Sequence, residues 1–358
     1  MRVLFIVDNA ALNGGTEILA RNLAGAFGEA GMECKLVSAV DCRRKGSLKR
    51  VLEKLAAEYH ADWIVNHTYD ICHEIPTGGP WKTAQVFNWS VRGYENSVLK
   101  IIASKPILMR IPSRILFEFK RWRWHRALAK FTKLVVLTDA AKPEVVAVNS
   151  NIRAEQLTTI PDPIMRKSDS EGVSSLKNKQ VVFVGRLSAE KGVMRLLRIW
   201  EKVHEQLPEY KLNIYGKGHM REAMTMWLRE MKERGEGEEL RVEFKGFEKD
   251  LEKLYTGSDL LLMTSDTEGF GMVLIEAMYY GVPCISFDCP ISPKEIIGAT
   301  GVAVPCFDED AYARAVIDLL KAPARLQELQ SAAIWRARDF YIDEVMRKWK
   351  YCLGGCAE

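Results

Sequence analysis

The amino-acid sequence contains no uncharged hydrophobic run long enough to predict a membrane-spanning helix. The longest such runs, of which 296–307 is typical, are shorter than the roughly 18 to 20 residues that a span needs. The first apolar run, 3–7, ends at Asp8, which is too soon for the core of a signal peptide. We therefore expect a cytoplasmic protein.

Cysteine is scattered along the chain and shows no metal-binding spacing. The eight cysteines form no Cys-x-x-Cys pair, and they are not combined with histidines at the sequence spacing that is typical of metal sites. Reduced cytosolic thiols are the simplest account, and we expect no bound metal. The composition, 47% hydrophobic and 27% charged, excludes a collagen, a coiled coil and a disordered tail.

An excess of charge of one sign is also lacking over the chain as a whole. Lys and Arg number 51 against 47 Asp and Glu, a net charge of +4, which is too little to imply a nucleic-acid partner. The segment 92–133 is different, since it contains eleven basic and only two acidic residues.

The first 30 residues show a strand, a glycine loop and a helix in succession. Residues 2–7 form a compact apolar run, which predicts a buried strand. Gly14 and Gly15 follow, and Thr16 is predicted to cap the helix that comes next.

The same pattern recurs in the second half of the chain. The apolar run 181–184 is followed by Gly185 and a helical pattern over about 192–206. Each half therefore begins like an α/β domain. Other apolar runs alternate with helical patterns, which favours parallel sheets; they are 34–39, 62–66, 83–87, 134–138, 211–215, 241–245, 259–264, 283–287 and 302–304.

A polar and proline-containing segment, 160–179, predicts the linker between the two halves. A last helix is predicted over about 343–353, where apolar side chains recur at helical spacing.

The segment 264–281 combines carboxylates with glycines at the end of a predicted strand. Gly269 and Gly271 lead into a helix, whose N-terminal N–H groups can bind phosphate. Glu268 lies in the loop and Glu276 one turn into the helix, so both carboxylates can face one ligand, such as sugar hydroxyls. Solvent-facing glutamates on an ordinary α/β helix are the alternative.

Two cations follow the strand at 181–184. Arg186 leaves the carboxyl end of this strand, where α/β proteins bind ligands, and Lys191 stands five residues later. Together they could hold a diphosphate and stabilise the charge that develops when it leaves. The alternative is a pair of surface charges.

These motifs together resemble the second half of a GT-B glycosyltransferase of family 4. The resemblance is specific over about 181–349 and looser in the first half of the chain. Its motifs are GRLSAEKG at 185–192, Gly-x-Gly at 216–218, Gly-Phe at 246–247, EGFGMVLIEAM at 268–278, SFDCPISPKEII at 286–297, GGTE at 14–17, VVLTDAAK at 135–142 and IPDPI at 160–164.

The resemblance implies an α/β fold with two Rossmann-like domains, whose parallel sheets face a cleft. The implied domains are an acceptor-side domain over 1–163, joined by a returning helix at about 338–358, and a nucleotide-sugar domain over 164–337. The implied reaction is a retaining transfer of a hexose or N-acetylhexosamine from a nucleotide diphosphate sugar, without a metal or other cofactor. The subgroup builds bacterial surface polysaccharides or lipid-linked oligosaccharides, so the implied acceptor is a saccharide or a lipid-linked saccharide.

The resemblance also assigns roles to individual residues. Arg186 and Lys191 bind the diphosphate and Glu268 contacts the donor sugar, so these three are the predicted catalytic residues. Glu276 holds the ribose hydroxyls and Phe247 lies beside the base. The other predicted substrate-binding residues are Gly14, Gly15, Asn88, Gly185, Gly216, Gly269, Phe270, Gly271, Met272 and Val273.

One position departs from the family pattern. Many relatives have a histidine after the strand at 83–87, where this chain has Asn88. An asparagine side chain forms hydrogen bonds but does not take up a proton near neutral pH. His67 is a conceivable substitute for a general base, although a structural role fits a lone histidine better.

The expected mechanism is a displacement on the face from which the diphosphate departs. It depends on stabilising the leaving group rather than on a protein nucleophile. The glutamate pair alone would also suit a glycosidase, but a glycosidase has no diphosphate for Arg186 and Lys191 to bind.

The basic stretch 99–133 also contains aromatic residues, a combination that suits an anionic membrane surface. Ser113 is predicted to cap a helix there, while Pro106 and Pro112 are predicted to interrupt the stretch. The alternative is a helix that packs against the core and has a basic outer face. Binding of nucleic acid is not expected, because no nucleic-acid-binding motif accompanies the stretch. We expect a cytoplasmic protein that can lie on the inner face of the cytoplasmic membrane.

Other functions remain open on the sequence alone. A nucleotide-sugar epimerase or a phosphorylase could share the two-domain plan. A catalytically silent relative could bind nucleotide sugar within an assembly complex, an alternative that Asn88 keeps open.

Overall fold

The computed structural model describes residues 1–11, 15–233, 240–291 and 293–354. The chain divides into two compact units. The first unit comprises Met1–Met165 and Ile342–Glu358, and the second comprises Arg166–Tyr341.

The first unit is built on a six-stranded parallel sheet in the order β2-β1-β3-β4-β5-β6. Its strands are β1 (Arg2–Val7), β2 (Glu33–Ser38), β3 (Trp63–Asn66), β4 (Lys82–Phe87), β5 (Lys133–Val136) and β6 (Leu157–Thr159). Its first six helices are α1 (Gly15–Glu29), α2 (Ala39–Arg44), α3 (Leu48–Tyr59), α4 (Val91–Ser104), α5 (Ile107–Leu128) and α6 (Lys142–Val148).

The second unit contains another six-stranded parallel sheet, in the order β12-β11-β10-β7-β8-β9. Its strands are β7 (Gln180–Val184), β8 (Lys211–Tyr215), β9 (Val242–Gly246), β10 (Leu260–Met263), β11 (Cys284–Phe287) and β12 (Gly301–Val304). Its helices are α7 (Val193–Gln206), α8 (Arg221–Glu233), α9 (Leu251–Thr256), α10 (Met272–Tyr279), α11 (Pro293–Ile297), α12 (Glu309–Leu320) and α13 (Pro323–Ala337).

The final helix, α14 (Ile342–Cys352), belongs to the first unit. The ring of Trp349 packs against those of Phe27 and Phe5, with centroids 5.8 and 6.5 Å apart. The indole N–H of Trp63 donates to the carbonyl of Leu353 at 3.0 Å. These contacts hold α14 and the adjacent Leu353 against the first sheet.

The strands follow the apolar runs of the sequence because both faces of each sheet are covered by helices. In β1, every residue after Arg2 is buried, as expected for a strand of a two-sided parallel sheet. The short strand β6 was not predicted, since its sequence Leu-Thr-Thr has no apolar run. No helix or strand forms within the described segment 160–179, which was predicted as the linker.

Three local predictions were wrong. Thr16 does not cap α1, because the helix begins at Gly15 and Thr16 lies in its first turn. Ser113 is likewise inside α5, which begins at Ile107. The helix continues through Pro112, so this proline removes one backbone hydrogen bond without ending the helix.

One buried tyrosine joins a helix to the strands that lead to the predicted site. The hydroxyl of Tyr312, in α12, donates to the carbonyl of Ile285 at 2.6 Å. It also accepts from the backbone N–H of Met263 at 3.1 Å. These bonds hold the end of β10, from which the carboxylate-containing loop leaves.

Candidate active site

The carboxyl edge of the second sheet brings four of the sequence motifs into one row. Strands β10, β7, β8 and β9 are successive neighbours in the sheet, and all are parallel. The ends of these strands and the loops that follow them therefore lie side by side. The motif residues found there are 264–271, 185–192, 216–218 and 246–247, of which Gly246 is the last residue of β9.

The first two of these loops are joined by hydrogen bonds. The Thr264 hydroxyl donates to the carbonyl of Lys191 at 3.0 Å, and the Asp266 N–H donates to that of Glu190 at 2.8 Å. A Cβ atom on Gly192 would lie 2.0 Å from the Thr264 carbonyl oxygen, so only glycine allows this approach. The two loops thus act as one structural element.

The hydrogen bonds bring a cation and a carboxylate together. Lys191 Nζ lies 2.7 and 2.8 Å from the two carboxylate oxygens of Glu268. The Ser265 hydroxyl donates to the same carboxylate at 2.5 Å. Glu268 is only 7% exposed, so Lys191 supplies the charge that balances a buried carboxylate. Arg186 begins the same loop and its side chain is exposed.

The helix α10 begins beside this ion pair. Gly271 precedes it with a φ of 95°, and no described side chain caps the helix. The N–H groups of its first turn, at Met272 and Val273, therefore lack a side-chain acceptor. The side chain of Phe270 is buried against Phe340, with ring centroids 5.8 Å apart, so its contribution to a site is its backbone.

Glu276 is placed differently from Glu268. Its carboxylate accepts a hydrogen bond from the hydroxyl of Tyr255 at 3.1 Å. Burial raises the pKa of Glu276 to about 7, although the bond from Tyr255 lowers it. The two glutamates of the motif thus differ in partner, since Glu268 pairs with Lys191 and Glu276 with a tyrosine.

The glycines after β7 and β8 allow the neighbouring loops to pack closely. Gly216 has a φ of 137°, and a Cβ atom on it would lie 1.8 Å from the carbonyl oxygen of Gly185. Gly185 N–H donates to the carbonyl of Tyr215 at 3.0 Å, and Gly216 N–H to that of Gly246 at 2.7 Å. The adjacent Phe247 side chain is exposed.

The first unit has a cavity of about 370 Å³. It lies at the carboxyl ends of β1, β3 and β4, the edge at which parallel sheets bind ligands. The lining side chains are carboxylates, aromatics and polar groups, among them Asp8, Glu17, His67, Tyr69, Asp70, Asn88, Trp89, Ser90 and Tyr94.

Asn88 and His67 are neighbours in this cavity. The Asn88 amide donates to the carbonyl of His67 at 2.8 Å. Among the described residues, no hydrogen bond of normal geometry reaches either ring nitrogen of His67 or Oδ1 of Asn88, although all three atoms are buried. The imidazole stacks on Phe5 with centroids 5.1 Å apart. Burial lowers its pKa to about 4, although the Asn88 side chain interacts with the imidazole and partly raises this pKa. Such a weak base is poorly matched to proton abstraction near neutral pH.

The carboxylates of this cavity were not predicted from the sequence. Asp8 directly follows β1, and Asp70 lies in a short 3-10 helix after β3, Tyr69–Glu74. Burial, and then the negative charge of Asp8, raises the pKa of Asp70. Each of them is an acidic residue that follows soon after a predicted strand. This pattern is visible in the sequence and could have identified them as candidate site residues.

Gly14 lies outside the described residues, and Gly15 is the exposed first residue of α1. Within the described part of the chain, no three His, Cys, Asp or Glu side chains are grouped so that they could hold a metal ion.

Comparison with protein families identifies the class of the second unit. Residues 178–322 match the family described as Glycosyl transferases group 1. The matched segment lies within the second unit and includes all four loops of the row, so this part of the chain is similar to glycosyltransferases of that group.

Individual relatives agree with this assignment. The chain is 32% identical to the amylovoran biosynthesis glycosyltransferase AmsD of Erwinia amylovora over 179 residues, 50% of this chain and 49% of that protein. The match thus spans about half the length of AmsD. A second relative, an uncharacterized glycosyltransferase of Haemophilus influenzae, is 22% identical over 98% of this chain and 99% of its own.

A solved structure has a similar fold. Alr3699/HepE of Anabaena, in complex with UDP, superposes with a TM-score of 0.74 at 16% identity and covers 99% of both chains. The predicted fold class, α/β with two parallel sheets of the GT-B type, is confirmed.

Proposed function

We propose that the protein is a retaining glycosyltransferase of family 4. It transfers a hexose or N-acetylhexosamine from a UDP-linked donor to a saccharide or lipid-linked acceptor during surface-polysaccharide assembly. The observation that carries the proposal is the row of loops along the second sheet, which joins Lys191 and Glu268 to the uncapped start of α10.

The row suits a nucleotide diphosphate sugar from end to end. Neighbouring strands lie about 4.8 Å apart, so the four loops span about 14 Å. Lys191, Arg186 and the N–H groups of α10 bind the diphosphate. Glu276 accepts hydrogen bonds from the ribose hydroxyls, and the exposed ring of Phe247 lies beside the base.

The sugar is transferred in a front-face displacement. The acceptor hydroxyl oxygen forms a bond to the anomeric carbon, while the bond from that carbon to the diphosphate oxygen breaks. UDP leaves with the bonding electrons, and its departing phosphate takes the proton of the acceptor hydroxyl. Lys191 and Arg186 stabilise the negative charge that develops on the leaving group. These cations supply that stabilisation without a metal, so we expect a chelator to leave activity unchanged.

The cavity in the first unit binds the acceptor sugar. Asp8 and Asp70 accept hydrogen bonds from sugar hydroxyls, and Trp89 and Tyr94 offer flat apolar surfaces. The buried polar atoms of His67 and Asn88 that make no hydrogen bond of normal geometry favour a polar ligand, because buried polar atoms normally have well-formed hydrogen bonds.

The relatives support the donor and the setting. AmsD is named as an amylovoran biosynthesis glycosyltransferase, and the HepE structure contains UDP. We extend both features to this chain as part of the proposal.

Calorimetric titration with UDP, GDP and ADP tests the donor site. We expect selective binding of UDP, weakened about tenfold or more in Glu276→Gln and unchanged in Glu222→Ala, an exposed glutamate of α8. A preference for GDP would keep the reaction and change the donor. Binding of none of the three nucleotides would contradict the proposal.

A second assay separates the transferase from an epimerase and from a silent binding protein. Purified protein is incubated with UDP-glucose, UDP-galactose or UDP-N-acetylglucosamine and a lipid extract. Transfer of labelled sugar to lipid supports the proposal. Release of UDP without dependence on added acceptor indicates an epimerase, and UDP binding without turnover indicates a silent binding protein.

A further inference from the structure

The helix α5 has an apolar stripe on its outer surface. Leu108, Ile111, Ile115, Phe119 and Trp122 recur at intervals of three or four residues. At about 100° per residue they fall within about 80° of one another around the helix. Each is between 54 and 91% exposed, so they form a continuous face that is directed away from the protein.

The opposite face of α5 holds the helix to the first unit. Phe117, Trp124 and Leu128 are buried there, and at the same spacing they lie about 180° from the exposed stripe. The core of the unit is therefore complete without the stripe. The core-packing alternative accounts for the buried face and leaves the exposed face unexplained.

Basic side chains border the exposed stripe. The helix contains six Lys or Arg residues and one acid, Glu118. The guanidinium of Arg123 lies 5.9 Å from the ring of Phe119, and that of Arg126 lies 5.4 Å from the ring of Trp122. Cations are thus held beside the aromatic end of the stripe.

We propose that this outer face of α5 is a docking surface for an anionic lipid bilayer. The helix lies in the plane of the interface, where its apolar stripe enters the boundary between headgroups and acyl chains. Exposed basic residues of the same helix, such as Arg114, Lys120 and Arg123, contact the acidic headgroups. Among the described residues, no helix has the length and apolar character needed to cross the membrane.

The charge of the face decides between a bilayer and a second copy of this chain. Two copies that joined through α5 would place like charges against each other, which costs free energy. Arg121 adds little to the positive charge of the face, because it forms ion pairs with Glu118 at 2.6 Å and with Glu95 at 3.8 Å. The remaining cations complement an anionic surface.

The docking surface is also connected to the cavity of the first unit. Trp124, on the buried face of α5, packs against Tyr69 and Tyr94, with ring centroids 5.6 and 6.0 Å away. Both tyrosines line the cavity. If the proposed function holds, this arrangement presents the acceptor site next to the membrane in which a lipid-linked acceptor lies.

Vesicle flotation with the full chain tests the docking surface. The probes are vesicles of phosphatidylcholine alone and of phosphatidylcholine with 30% phosphatidylglycerol. We expect binding to the anionic vesicles, with a loss of affinity when the salt concentration rises. Ile111→Ser/Ile115→Ser and Arg114→Gln/Lys120→Gln/Arg123→Gln should each reduce the partition coefficient about tenfold or more.

Matched controls keep the result specific to this face. Trp335→Ser and Tyr351→Ser remove exposed aromatic groups elsewhere, at 66 and 73% exposure, and should leave partitioning unchanged. Thermal unfolding shows whether each variant is folded, and UDP titration tests the donor site separately. Equal binding to neutral and anionic vesicles, or unchanged partitioning of both α5 variants, overturns the proposal. Sedimentation that shows a dimer lost in Ile111→Ser/Ile115→Ser also overturns it, in favour of self-association.

Discussion

Lys191 and Glu268 form a two-contact ion pair in the candidate donor site, with the Lys191 ammonium 2.7 and 2.8 Å from the two carboxylate oxygens. The carboxylate is nearly buried and the ammonium is partly exposed. A diphosphate that binds Lys191 must therefore compete with Glu268 for the same cation. If the proposed function holds, the pair links the affinity of the site for nucleotide to the position of the Glu268 carboxylate.

Removing the charge of Glu268 should separate nucleotide affinity from turnover. In Glu268→Gln, Lys191 is released from its partner, so we expect UDP to bind about fivefold more tightly. Sugar transfer should fall about a hundredfold, because the donor sugar loses its contact with the carboxylate. Calorimetry and a transfer assay measure the two quantities.

Lys191→Ala should change UDP affinity in the opposite direction. The cation is lost from the diphosphate site, and we expect UDP binding to weaken about tenfold. The variant Glu222→Ala, at an exposed position of α8, serves as the control. Equal UDP affinity in Glu268→Gln and the parent protein would show that the ion pair does not compete with the diphosphate.

The pH dependence of UDP binding should report Glu276. Its pKa is raised to about 7, so the carboxyl group is mostly protonated at pH 6 and mostly ionised at pH 8. Both oxygens of the ionised form are free of a proton and are stronger hydrogen-bond acceptors, so UDP affinity should rise across this interval. The Glu276→Gln variant removes the ionisation of this one side chain. The ionisation of UDP itself is the same in both experiments. A pH dependence that is identical in both proteins would remove Glu276 from the ribose site.

Much of the second unit could be predicted from sequence because its signals are local. Apolar runs mark β7 and β10, and the glycines at 216 and 271 occupy backbone conformations with positive φ. The Lys191–Glu268 pair could not be predicted, since it joins two loops 77 residues apart in the chain. Its geometry depends on the neighbouring positions of β7 and β10, which no local pattern specifies.

The first unit was harder to predict because its functional groups are spread over several strand ends. Asp8 and Asp70 meet only when β1 and β3 pair in the sheet. The stripe on α5 was obscured by Pro112, which suggested an interruption where the helix is continuous. The spacing of Leu108, Ile111 and Ile115 was visible, but its outward direction required the structure.

Gly216 should tolerate no side chain. Its φ is 137°, and a Cβ atom would lie 1.8 Å from the Gly185 carbonyl oxygen, so Gly216→Ala should lower the free energy of unfolding by about 2 to 4 kcal/mol. Gly25→Ala is the control, because the position is helical and a Cβ atom there meets nothing within 4 Å. That variant should gain up to about 1 kcal/mol. Urea unfolding measures both, and equal stabilities would contradict the packing of the two loops.

The cavity of the first unit should bind sugars independently of the donor site. Asp70 is held beside Asp8, and burial together with that negative charge raises the pKa of its carboxyl group. A sugar hydroxyl that donates to Asp70 relieves part of this unfavourable environment, so the carboxylate should contribute to affinity. Asp70→Asn should therefore weaken the binding of methyl glycosides of glucose, galactose and N-acetylglucosamine about tenfold, as measured by saturation-transfer NMR. UDP affinity should stay unchanged, and Asp41→Asn, at an exposed position of α2, should alter neither. Loss of UDP binding in Asp70→Asn would mean that the substitution disturbs the fold, whereas unchanged glycoside binding would exclude this cavity as the acceptor site.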